Sequence, residues 1–186
     1  MCDQLPNEKI AIIDIGSNSV RLVIHEIDEK RGYRQLHNLK TVARLRSHLD
    51  ERGHLSQKGL TILLDTLNAF KELINHYDVK RTHLVATAAI RSARNQQDII
   101  QTVRDKTSFT IRVLSEYEEA YYGYLAVVNS MSLRDGITID MGGGSTEVTL
   151  FKNQTLIDTH SFPFGTISLK RRFFQRIHKI DDRNIQ

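Results

Sequence analysis

Two stretches of the chain follow one plan, and that repetition restricts the fold more than any other feature of the sequence. Ile13-Asp14-Ile15-Gly16-Ser17-Asn18-Ser19-Val20 and Ile139-Asp140-Met141-Gly142-Gly143-Gly144-Ser145-Thr146 each leave an apolar strand through Asp, an apolar residue and Gly. Each then passes small polar residues and enters another strand. A single Asp-x-Gly marks an ordinary hairpin turn. Two copies in one chain point to duplicated modules facing each other, each opened by a strand.

The elements around the two copies support this division. Lys9 to Ile15 is a nearly continuous apolar run and reads as a buried strand. Val20 to Ile27 and Tyr33 to Val42 read as the next two strands. Leu55 to Tyr77 carries a helical stripe of Leu60, Leu63, Leu67, Phe70 and Ile74, with Ser56 as N-cap. A short strand is expected over His83 to Thr87, helical stretches over Ala88 to Lys106, and a strand over Phe109 to Leu114. A helix follows over Ser115 to Met131, with Ala120, Tyr124, Val127 and Met131 on one face. The second series runs Ile137 to Met141, Glu147 to Phe151 and Thr155 to Phe162, then a helix from about Ile167 to Ile177. The reading gives one lobe over 1–131 and a second over 132–186.

The composition of the loops suits phosphate. Glycine and small residues let backbone N–H groups come close to phosphate oxygens. Ser17, Asn18, Ser145 and Thr146 add side-chain donors. Asp14 and Asp140 stand at strand ends, where they can hold Mg²⁺ directly or through water. A strand follows each loop, and no Gly-Lys-Ser/Thr signature occurs. The phosphate would therefore lie on hairpin loops and not on a helix N-terminus.

Bulk properties narrow the surroundings. The 186 residues are 40% hydrophobic, enough for a core in one or two domains. Net charge is +4, Lys and Arg are dispersed, and Trp is absent. That pattern does not suit nucleic acid; it fits a solvated surface or a small polyanionic substrate. Cys2 is the single cysteine, which excludes an internal disulfide and a Cys-cluster metal site. Met1 to Pro6 does not read as a signal peptide, and no apolar run has membrane-spanning length. A cytoplasmic protein without a membrane partner is the expectation.

The runs Asp14 to Ser19 and Asp140 to Glu147 resemble the two phosphate-binding motifs of the exopolyphosphatase / guanosine pentaphosphate phosphohydrolase (Ppx/GppA) family. Thr87-Ala88-Ala89-Ile90-Arg91 and Glu118-Glu119-Ala120 extend the likeness, in matching order and spacing, across nearly the whole chain. Actin-like ATPases and sugar kinases share the glycine loops but lack the Asn of the first loop and the Glu-Glu-Ala segment. The resemblance implies an α/β, ribonuclease-H-like (actin-like ATPase) fold in two lobes with a cleft between them. In the family the second lobe continues well past the second loop, so the resemblance also implies that it is incomplete here. It implies Mg²⁺-dependent release of terminal phosphate from inorganic polyphosphate or guanosine pentaphosphate.

Glu118 and Glu119 compete for the role of water-activating base. Ser115 and Glu118 fit a capping box, which occupies Glu118 and leaves Glu119; the family's catalytic glutamate also falls on Glu119. Glu147, directly after the second loop, reads as a water-orienting or metal-linked carboxylate. Arg91 could clamp phosphate bidentately, and Arg21, within a strand, has a weaker claim. Ser17, Asn18, Gly142, Gly143, Gly144 and Ser145 would cradle the phosphates, and Asp14 and Asp140 would place the metal. Two other functions stay open: a non-catalytic binder of polyphosphate or of guanosine penta- and tetraphosphate, and an actin-like kinase or ATPase. The sequence does not fix the oligomeric state, and a homodimer is admitted.

Overall fold

The computed structural model describes residues 8–28 and 32–174. They divide into two compact units, one up to Glu119 and one from Ala120.

The first unit is built on a five-stranded sheet of order β3-β2-β1-β4-β5, with β1 (Glu8–Ile15), β2 (Ser19–Asp28), β3 (Gly32–Val42), β4 (Arg81–Ala86) and β5 (Ile111–Val113). The first three strands form an antiparallel meander, and β4 and β5 join it in parallel on the other side of β1. This is the expected ribonuclease-H-like sheet. Period-two alternation explains β1: Ala11, Ile13 and Ile15 are fully buried, whereas Ile12 and Asp14 are exposed. Val20, Leu22 and Ile24 of β2 continue the buried face.

The long helix α1 (Gln57–His76) contributes Leu63, Leu67, Phe70 and Ile74 to the same core. Leu60 of the expected stripe packs against that core partly buried. Ser56 caps α1, accepting the Gly59 N–H at 3.3 Å.

The stretch expected to be helical from Ala88 to Lys106 is two helices, α2 (Ala88–Arg91) and α3 (Gln96–Thr107). Asn95 explains the break. Its amide side chain exchanges two hydrogen bonds with the backbone of Leu55, at 2.9 and 3.1 Å, and so ties the interruption to the start of α1. A 3-10 turn over Leu45–His48, absent from the sequence reading, follows β3.

The helix α4 (Glu116–Ser130) crosses the boundary between the units. The boundary precedes the expected one at residue 131 because the C-terminal part of α4 packs within the second unit. There the Tyr124 ring lies 5.8 Å from that of Phe151, and the Tyr124 hydroxyl donates to the Gln154 carbonyl at 2.8 Å. Met131, expected on one helix face with Ala120, Tyr124 and Val127, lies past the end of α4 and is exposed.

The second unit carries β6 (Gly136–Met141), β7 (Thr146–Lys152) and β8 (Thr155–Phe162) as an antiparallel sheet of order β6-β7-β8, followed by α5 (Thr166–Phe174). Among the described residues this sheet holds the counterparts of β1–β3 only. The expected extension of the last helix to Ile177 lies outside the described residues, as does Cys2. Among the described residues no helix is long and apolar enough to cross a membrane.

Candidate active site

The two loops are built alike. In loop 1 the Gly16 N–H donates to the Ser19 carbonyl at 3.0 Å; in loop 2 the Gly142 N–H donates to the Ser145 carbonyl at 3.0 Å. The strand registers agree as well: Asp14 opposes Arg21 on β2, and Asp140 opposes Glu147 on β7.

Loop 1 is fastened from outside. The Asn18 carbonyl accepts from the N–H groups of Ala43 and Arg44 at 3.1 and 2.8 Å, and the Ser17 carbonyl accepts from Arg46 at 3.0 Å. Arg44 takes a left-handed backbone, φ 48°, to make this turn, at a conformational cost of roughly 1–2 kcal/mol. Asn18 is exposed and Ser17 is buried. The Ser17 hydroxyl is covered and has no hydrogen-bond partner among the described residues. Such orphaned hydroxyls are uncommon in folded proteins and call for an explanation.

Further hydrogen bonds join loop 1 to the rest of the predicted site in this unit. The Thr87 N–H donates to the Ile15 carbonyl at 3.2 Å, and the Arg91 N–H donates to the Thr87 carbonyl at 2.9 Å. Arg91 Nη1 donates to the Leu114 carbonyl at 3.0 Å and to Glu119 Oε2 at 2.7 Å. Both partners of that ion pair are mostly buried, with side chains 19% and 21% exposed. Through these bonds Arg91 reaches the candidate base and its surroundings. Arg91 thereby holds Glu119 in an ion pair through one side of its guanidinium.

The capping box forms as expected. The Glu118 N–H donates to Ser115 Oγ at 3.1 Å, and Glu118 Oε2 accepts the Ser115 N–H at 2.8 Å. The Ser115 N–H, the Arg112 guanidinium and the Ser115 hydroxyl, in that order, hold the Glu118 carboxyl below its ordinary range. Glu118 is committed to starting the helix. Arg21 donates to Asn38 Oδ1 at 3.3 Å in an exposed setting.

In the second unit, Asp140, Gly142, Gly143, Gly144, Ser145 and Glu147 come together around loop 2. Gly144, Ser145 and Glu147 are buried and Asp140 is exposed. Ser161 Oγ donates to Glu147 Oε1 at 2.9 Å. Asp140 and Glu147 are directly opposed across two strands, where like charges repel unless a cation lies between them. Two carboxylates at a strand end suit a Mg²⁺ ion that takes its other ligands from water and phosphate. Among the described residues no group of three or more His, Cys, Asp or Glu side chains forms a fuller cage.

The sequence reading missed the support of loop 2. The Thr166 N–H donates to the Gly142 carbonyl, and the Ile167 N–H to the Gly143 carbonyl, both at 3.0 Å. Gly165 presses on the loop so closely that a Cβ there would meet Gly142 O at 2.4 Å. The first amides of α5 are thereby spent on loop carbonyls, which agrees with phosphate binding on a hairpin and not on this helix end. The one available signal was Phe164-Gly165-Thr166 placed between a strand and a helix.

A model of the Ppx/GppA phosphatase family matches residues 7–186. Exopolyphosphatase 1 of Mycobacterium tuberculosis is 27% identical over 169 residues, covering 89% of this chain and 48% of the relative. A Ppx/GppA family member of Aquifex aeolicus has TM-score 0.77 and 31% identity, covering 90% of this chain and 55% of that one. An exopolyphosphatase structure from Cytophaga hutchinsonii has TM-score 0.81 and 27% identity, covering 89% and 54% respectively. The chain spans about half the length of these relatives.

Proposed function

The chain belongs to the Ppx/GppA phosphatase family, and from that premise we propose a phosphohydrolase that releases terminal phosphate from inorganic polyphosphate or guanosine pentaphosphate. Glu119 is its base. The observation that carries this reading is the division of labour between adjacent glutamates. Glu118 is consumed by the Ser115 cap, while Arg91 holds Glu119 at 2.7 Å beside the segment bonded to loop 1.

In the reaction a water oxygen attacks the terminal phosphorus. Its proton passes to the Glu119 carboxylate, and the bridging P–O bond breaks as the shortened chain leaves. Loop amides and the hydroxyls of Ser17 and Ser145 bind phosphate oxygens. Asp140 and Glu147 are the residues that would hold Mg²⁺; Asp14, set opposite Arg21, is a weaker ligand. Bound there, the ion would offset negative charge on the phosphoryl oxygens. The exopolyphosphatase names of the relatives support a polyphosphate substrate.

The test is phosphate release from each substrate by the full-length protein, with and without Mg²⁺. Glu119→Gln should lower turnover by about 10²–10⁴, the usual contribution of a general base, and keep tripolyphosphate binding. Unchanged turnover would reject Glu119 as the base. Binding without release from either substrate would turn the reading toward a regulator.

A further inference from the structure

We propose that Arg46 is a phosphate-binding residue of this site, gripping the phosphate chain beside loop 1. The inference rests on the phosphate-chain reading above and extends it to a residue that neither glycine motif contains.

Position is the first reason. The Arg46 N–H donates to the Ser17 carbonyl at 3.0 Å, and its Nη1 donates to Ser92 Oγ at 2.9 Å. The side chain therefore reaches from loop 1 to the residue that follows Arg91. Its fork is aimed by a hydroxyl, which orients a guanidinium without neutralising it.

Charge is the second. Arg91 is compensated by Glu119, and Arg112 by Glu118. Arg46 has no carboxylate partner among the described residues, although it is half-buried. A partly desolvated cation gains more from an anion than an exposed one does. A guanidinium has five N–H donors in a planar fork, a shape matched to phosphate oxygens.

The third reason is the Ser17 hydroxyl. It belongs to the residue whose carbonyl Arg46 binds, and it lacks a partner among the described residues. A phosphate chain lying along loop 1 would offer oxygens both to this orphaned donor and to the uncompensated cation.

The experiment titrates the full-length protein with inorganic tripolyphosphate by calorimetry, with thermal melts confirming that each variant folds. Arg46→Gln should weaken binding about ten- to hundredfold, the usual loss for a charge-assisted hydrogen bond. Arg46→Lys should lose less, because it keeps the charge but not the fork. Ser92→Ala removes the anchor and leaves the charge, so it should cost clearly less than Arg46→Gln. Arg104→Gln, an equal charge change on α3, should stay within about twofold of wild type.

Equal binding by Arg46→Gln and wild type would overturn the proposal. So would an equal loss in Ser92→Ala, which would assign the effect to anchoring of the turn, or in Arg104→Gln, which would assign it to net charge. If the wild-type protein itself fails to bind tripolyphosphate, the phosphate-chain reading falls and this inference falls with it. Intact wild-type binding with an indifferent Arg46 would refute the inference alone.

Discussion

Gly165→Ala sets two opposing effects against each other, and the geometry decides between them. Gly165 is not among the glycines with a left-handed backbone, which are Gly32 and Gly53. Backbone entropy alone would therefore make alanine stabilising, by about 0.4–1 kcal/mol. Packing acts the other way. The added Cβ would lie 2.4 Å from Gly142 O, 2.7 Å from Gly143 C and 2.8 Å from Gly144 N, all of them backbone atoms. No side chain can swing aside, so loop 2 itself must move.

Overpacking of this kind costs about 1–3 kcal/mol. Moving the loop also stretches the bonds from Thr166 N–H to Gly142 O and from Ile167 N–H to Gly143 O, each a net contribution of about 0.5–1.5 kcal/mol. The steric effect wins, and the expected result is a destabilisation of about 2–3 kcal/mol. Urea unfolding followed by circular dichroism measures it. Hydrogen exchange should show faster exchange at the amides of Gly142, Thr166 and Ile167, and calorimetry should show weaker tripolyphosphate binding. A variant as stable as wild type, or more stable, with unchanged exchange at those amides would refute the packing argument.

Two further outcomes concern Glu118 in the first unit and Asp140 in the second. Glu118 is held below its ordinary value of 4.5, first by the Ser115 N–H and then by Arg112. A lowered acid contributes stability in full above its unfolded-state value and loses it as pH falls through the folded one. The α4 cap should be intact above the ordinary value of 4.5 and be lost only as pH falls well below it, visible in the Ser115 amide resonance. A resonance unmoved across that fall would sink the cap. Asp140→Asn should weaken Mg²⁺ binding at least about tenfold while stabilising the metal-free sheet by about 0.2–1 kcal/mol, since it relieves two opposed carboxylates. Paired melts with and without Mg²⁺ read both effects, and a loss of metal-free stability would contradict the opposed-charge account.

The sequence made the strands and loops legible because they depend on local pattern. Alternation in Ala11, Ile13 and Ile15, the Ser56 cap and the Ser115–Glu118 box each declare themselves within a few residues. The misses lie where a distant partner decides. Nothing near Asn95 shows that Leu55 breaks the helix there. The Arg91–Glu119 ion pair spans 28 positions, beyond the reach of any local pattern. The 3-10 turn carrying Arg46 was invisible because it depends on Arg44 accepting a left-handed backbone to bond Asn18.

The internal duplication extends from the two loops to the strands that carry them. Ala11, Ile13 and Ile15 oppose Ile24, Leu22 and Val20; Ile137, Ile139 and Met141 oppose Leu150, Val148 and Thr146 in the same register. In the first unit every one of those residues is fully buried, in one core with α1. In the second, Ile137, Ile139 and Met141 are 64%, 69% and 49% exposed. The other face of that sheet contributes Phe151 against Tyr124, the Thr138–Thr149 hydroxyl pair and Ser161 on Glu147. The amides of α5 bind loop 2 directly. These bonds onto loop 2 converge on the carbonyls of Gly142 and Gly143, against which Gly165 is pressed. A single methyl group at Gly165 is for that reason enough to disturb the loop.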